Sequence, residues 1–159
     1  MPGGVWRFMP GTNDLRLMLE DFFNPNGITF SPDERTAYVT STQAMYGLDK
    51  SRTIYAFDVV NEASEWEEPG KGPYLANMRP FAMSGTSIQD GIKCDTRGNV
   101  YAGDGNGISV YSQNGLLLGR VLIEGGAANF VLGRGELLIM NEEKVWRAAL
   151  SMDSVGANL

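Results

Sequence analysis

The side chains in this 159-residue chain that could carry chemistry are almost all oxygen donors. The sequence has no histidine and a single cysteine, Cys94. It therefore holds no Ser-His-Asp triad, no Cys-His dyad and no His-ligated zinc or haem. An intrachain disulfide framework and a multi-cysteine metal cluster are excluded as well. Acidic residues number 19 against 13 basic ones, for a net charge of −6 and a pI near 4.6. That balance argues against a nucleic-acid partner held on a basic face, and it leaves room for hard cations held by oxygen ligands. Two short motifs place such an oxygen donor directly before a glycine and a strand-like run, Pro25-Asn-Gly27 and Asp90-Gly91. Taken singly, Asn-Gly and Asp-Gly pairs simply make turns. Cys94 stands beside no histidine and reads as a small buried hydrophobe rather than a nucleophile. The glycine-rich Gly103-Asp-Gly-Asn-Gly107 has no helix after it, so it reads as a strand link and not a phosphate cradle.

The elements that must position these residues are short apolar runs separated by turn residues, the pattern of an all-β chain. Ile28-Thr-Phe30 and Thr36-Ala-Tyr-Val-Thr40 flank Ser-Pro-Asp-Glu-Arg, in which Pro32 presets φ for a turn and Asp33 can cap it. Ile92-Lys-Cys94 and Val100-Tyr-Ala102 flank Asp-Thr-Arg-Gly-Asn, and Phe130-Val-Leu132 and Leu137-Leu-Ile139 flank Gly-Arg-Gly-Glu. Asn114-Gly115, between Ile108–Tyr111 and Leu116–Ile123, predicts a two-residue type I′ hairpin. Only 12–23 offers a mixed period that could be argued as a helix, with a strand at Leu15–Leu19 as the other reading. The segment 61–73, with Glu62, Glu65, Glu67 and Glu68, reads as a solvated loop. The N-terminus lacks the basic and apolar regions of a secretory signal. No apolar run approaches the roughly 20 residues of a membrane helix, so no membrane partner is expected. A cytoplasmic location follows only if Met1 is the true start.

The strands repeat. Val5-Trp-Arg-Phe8, Ile54-Tyr-Ala-Phe57, Ile108-Ser-Val-Tyr111 and Val145-Trp-Arg-Ala148 recur at intervals of 49, 54 and 37 residues, near the period of propeller blades. Trp6 and Trp146 hold matching positions and are expected to pack between blades. The predicted fold is a partial β-propeller of about three four-stranded blades. It spans residues 1–159 as one domain that begins and ends within a blade; a sandwich or lipocalin-like barrel is the other arrangement such spacing allows. A propeller ring closes with about 4–8 blades. The expectation is therefore a truncated piece of a longer protein, or half of an oligomeric ring that self-associates through its exposed blade edges.

The motifs resemble those of the SMP-30/gluconolactonase family, and most of all its fungal lactonohydrolase-like branch. The resemblance is carried by Pro25-Asn-Gly-Ile-Thr-Phe-Ser-Pro-Asp-Glu-Arg-Thr-Ala-Tyr-Val-Thr40, by Arg52-Thr-Ile-Tyr-Ala-Phe-Asp58, by Asp90-Gly-Ile-Lys-Cys-Asp-Thr-Arg-Gly-Asn-Val-Tyr101 and by Gly107–Arg120. It covers nearly the whole chain, but only the C-terminal half or so of a family member. It implies a six-bladed propeller and a divalent-metal-dependent hydrolase that opens lactone rings, with a small-molecule lactone as substrate. The implied cofactor is Ca²⁺ first, with Zn²⁺, Mn²⁺ or Mg²⁺ as alternatives. By position, Asn26 and Asp90 would be metal ligands, with Asp90 also the general base, and Asn129 a substrate-binding residue at the same channel mouth. Gly27 and Gly91 would permit the tight backbone that aims the two ligands inward. The chain departs from the family at Gln89, where a proline is usual, and at Ser41, where an aspartate is common. The family's first-blade glutamate ligand has no counterpart, so weak or absent activity is expected of these 159 residues alone. The competing functions are a non-catalytic propeller used as a binding platform and a hydrolase of another ester.

Overall fold

The computed structural model describes residues 4–20, 24–43, 47, 52–60, 72–85 and 87–157. The acidic stretch 61–71 lies outside the described residues. Among the described residues, thirteen antiparallel strands form four sheets in chain order. β1 (Gly4–Met9) pairs with β2 (Asp14–Glu20). β3 (Pro25–Phe30), β4 (Thr36–Ser41), β5 (Thr53–Val60) and β6 (Tyr74–Met83) make the first four-stranded blade. β7 (Gln89–Cys94), β8 (Val100–Asp104), β9 (Gly107–Tyr111) and β10 (Leu117–Leu122) make the second. β11 (Asn129–Leu132), β12 (Glu136–Met140) and β13 (Val145–Ala149) close the series. The chain is an all-β partial propeller, as its repeats predict.

Each blade packs on the next through apolar side chains from both faces of its central strands. Along β4, Ala37 and Val39 turn toward Val5 and Leu19 of the first sheet, while Tyr38 turns toward Ile92, Cys94, Val100 and Tyr111 of the next blade. Phe81 wedges between Tyr38 and Tyr111, its ring centroid 4.7 and 6.4 Å from theirs. Tyr101 and Ile108 cross to Phe130, Leu132, Leu137 and Ile139 of the last sheet. Central strands buried on both faces lose the simple inside–outside alternation, and β8 is buried at every position. The C-terminal segment then folds back across the last two blades. Thr96 N–H donates to Val155 O, Ala157 N–H to Cys94 O and Gly135 N–H to Ser154 O.

Residues 14–20 form the strand expected around Leu15–Leu19, because Leu15 and Leu17 alternate with Asp14, Arg16 and Met18 at period two. Two local expectations differ. The Asn114-Gly115 turn is not type I′: Asn114 is not at positive φ, and only Gly115 is left-handed, at φ 79°. Gly115 N–H bonds Ser112 O inside an outer Ser112 N–H to Leu116 O bond, the three-residue hairpin with a left-handed glycine. Trp146 packs on the last interblade cluster, but Trp6 is 45% exposed on a face it shares with Phe8, Leu15 and Leu17.

Candidate functional site

The innermost strands of the three blades are β3, β7 and β11, and β7 packs against both others. The structure brings the three sequence-predicted residues to the same end of these strands. Asn26 is the second residue of β3, Asp90 the second of β7 and Asn129 the first of β11.

Two of the three sit in matching irregularities. In the β3–β4 ladder Pro25 faces Ser41 and Ile28 faces Val39, so Asn26 and Gly27 together oppose Thr40. In the β7–β8 ladder Gln89 faces Asp104 and Ile92 faces Ala102, so Asp90 and Gly91 together oppose Gly103. Each motif is thus a β-bulge, a device that re-aims side chains and recurs next to active sites. The β11–β12 ladder runs regularly from Asn129, without a bulge.

The glycines are needed for close approach between neighbouring blades. A Cβ on Gly27 would stand 2.8 Å from Asp90 O and 3.0 Å from Ile92 Cγ2. One on Gly91 would stand 2.6 Å from Asn129 Oδ1 and 2.9 Å from Ala128 O, the carbonyl that accepts the Gly91 N–H. The Asn26 side chain lies beside the Asp90 carboxylate across the blade boundary and favours its charged form. Burial pushes the Asp90 carboxyl above its ordinary value, and the neighbouring Asn26 amide only partly opposes the shift.

Asn129 is placed differently. Its Oδ1 accepts the Phe130 N–H at 2.8 Å, which leaves its amide nitrogen as the group that can meet a ligand. Asn26 and Asp90, but not Asn129, open onto a cavity of about 520 Å³. Ser87 and Asp104 form part of its wall, and Glu142, Glu143 and Lys144 part of its rim. Sequence reading missed these wall residues, since a serine in a loop and an acidic turn carry no signal of their own. It also missed Thr40, a fully buried β4 residue whose hydroxyl contacts both bulges.

The donor set suits a hard cation in kind. Asp90 offers carboxylate oxygens and Asn26 an amide oxygen. In number the set is short: Ca²⁺ takes about 6–8 oxygens. Among the described residues no group of three or more His, Cys, Asp or Glu side chains is placed to hold a metal ion.

Comparison with known proteins agrees with fold and motifs. Residues 1–140 match the family described as "SMP-30/Gluconolactonase/LRE-like region". The chain is 30% identical to lactonohydrolase oryH of Aspergillus oryzae over 93% of its own length and 34% of the relative. It is 32% identical to lactonohydrolase oryL of the same organism, over 74% of its own length and 28% of the relative. Among solved structures, a gluconolactonase from Xanthomonas campestris superposes with a TM-score of 0.76 at 29% identity, covering 92% of this chain and 44% of that one. The chain thus spans about a third of these curated relatives and under half of the solved one.

Proposed function

Because the chain belongs to the SMP-30/gluconolactonase/LRE-like family, we propose that it carries part of the active site of a cation-dependent hydrolase that opens lactone rings. The observation that carries the reading is the pairing of Asn26 and Asp90 in two matching bulges of adjacent inner strands, both lining one cavity. Adjacent blades would hardly both break their ladders at an Asn-Gly and an Asp-Gly for a turn alone.

In this reading Asn26 and Asp90 would hold the cation, and all-oxygen donors favour Ca²⁺. A divalent cation bound there supplies Lewis-acid polarisation of the lactone carbonyl. An Asp90 carboxylate oxygen would accept a proton of the attacking water. Water oxygen would bond to the carbonyl carbon, the ring C–O bond would break, and the departing alkoxide would take back the proton held by Asp90, giving the hydroxy acid. Asn129, which does not line that cavity, has no step in this reading. Two protein donors are few for catalysis, so the 159-residue chain by itself is weakly active or inactive.

The test is a pH-stat assay with a panel of lactones and aryl esters, run with Ca²⁺ and after chelation. The reading expects any hydrolysis to be confined to lactones and to vanish on chelation and in Asp90→Asn. Lactone turnover unaffected by both perturbations would overturn it, and preferential aryl-ester turnover would reassign the substrate.

A further inference from the structure

Thr40 bridges the two halves of the candidate site from beneath. It lies on β4 opposite the first bulge and is fully buried. Its Oγ1 accepts the Gly27 N–H at 2.8 Å and donates to the Asp90 carbonyl oxygen, also at 2.8 Å. One hydroxyl thus satisfies a backbone donor that the bulge has removed from the β3–β4 ladder and a backbone acceptor of the neighbouring blade. Both groups belong to residues that present, or directly follow, a candidate ligand.

The same position in the next blade shows that this bridge is a choice and not a demand of the fold. Gly103 stands opposite the second bulge as Thr40 stands opposite the first. No side chain fits there, because the Ala127 carbonyl comes too close to where a Cβ would be. Between the second and third blades the approach is made by backbone alone, with Gly91 N–H donating to Ala128 O. A side-chain hydroxyl is interposed between Gly27 N–H and Asp90 O, where the Gly91–Ala128 approach has none.

We propose that Thr40 is a positioning residue: its hydroxyl fixes the spacing and aim of Asn26 and Asp90, and so sets the affinity of the pair for a divalent cation. This rests on the proposed cation site, and the experiment separates the two. Loss of hydrogen-bonded partners behind metal ligands typically weakens binding by about 10–100-fold. Thr40→Val keeps the shape and removes both hydrogen bonds; Thr40→Ser keeps the hydroxyl and removes a methyl.

The purified chain is titrated with Ca²⁺ by calorimetry and with Tb³⁺ by luminescence, for wild type, Thr40→Val, Thr40→Ser and Asp90→Asn. The expected result is loss of binding in Asp90→Asn, binding weakened about 10–100-fold in Thr40→Val, and near-wild-type binding in Thr40→Ser. If Asp90→Asn binds like wild type, the cation site itself falls and the role of Thr40 with it. If Asp90→Asn fails to bind but folded Thr40→Val binds like wild type, the role of Thr40 alone is overturned. A Thr40→Ser variant as weak as Thr40→Val also overturns it, since the methyl would then matter and not the hydroxyl. Should Thr40→Val not fold, Thr40→Cys, with similar bulk and only a weak thiol donor, is read by the same outcomes.

Discussion

Replacing Gly91 by alanine tests whether close approach of the inner strands holds the site together. The new methyl would lie 2.6 Å from Asn129 Oδ1 and 2.9 Å from Ala128 O. Neither neighbour can yield freely. Ala128 O is backbone and accepts the Gly91 N–H, while Asn129 Oδ1 is held by the Phe130 N–H at 2.8 Å. Overpacking of this kind costs about 1–3 kcal/mol. Each hydrogen bond lost as β7 and β11 separate adds about 0.5–1.5 kcal/mol. The expected destabilisation is about 2–4 kcal/mol, a fall in Tm on the order of 10 °C for a domain of this size. Gly119 supplies the control, because nothing lies within 4 Å of a Cβ built there. Gly119→Ala should be neutral or stabilising by up to about 1 kcal/mol. Urea and thermal denaturation of both variants measure the difference. Equal stability of Gly91→Ala and Gly119→Ala would show that the strands are not held as closely as argued.

Three further outcomes follow from the same geometry. Because burial raises the Asp90 carboxyl above 3.8, the fold binds that proton more tightly than the unfolded chain does. Stabilisation by that proton is complete below the ordinary pKa and lost as pH rises through the folded one. Cation-free Asp90→Asn should therefore match or exceed wild-type stability at neutral pH, and its advantage should shrink on acidification; denaturation midpoints across pH check the trend, and a less stable variant at neutral pH contradicts it. Cys94 is buried and its thiol is pushed up to about 12, so iodoacetamide should label it at pH 8 only after unfolding; mass spectrometry of native protein labelled at the denatured rate would contradict this. Asp95 is buried and accepts Arg97 N–H at 2.9 Å, Asn99 N–H at 2.8 Å and Asn99 Nδ2 at 2.8 Å, so Asp95→Ala should cost at least about 2 kcal/mol by urea denaturation, and a smaller loss would mean water replaces the carboxylate.

The propeller was legible in the sequence because its strands are short, β-branched and punctuated by turn residues, and because their order repeats. The partnership of Asn26 with Asp90 was legible only through family resemblance, since each dipeptide alone reads as a turn. The bulges were not legible. One extra residue before Ile28 or Ile92 leaves the apolar pattern of the strand untouched, and only the opposing register reveals it. Thr40 was hidden for a related reason: a threonine in Thr36–Thr40 reads as strand propensity, and its hydroxyl gains meaning only when the next blade brings Asp90 O to it. Trp6 and Trp146 match in sequence yet differ in burial, because packing partners are set by neighbouring sheets and not by the repeat.

The central claim is that Asn26 and Asp90 act together as one cation site. Its most direct test is a Ca²⁺ titration of the isotope-labelled chain followed by amide NMR. The account predicts perturbations centred on Asn26, Gly27, Asp90 and Gly91, including the Asn26 side-chain amide, and their loss in Asp90→Asn. Perturbations centred instead on the Glu142–Glu143 rim, or unchanged in Asp90→Asn, would contradict it.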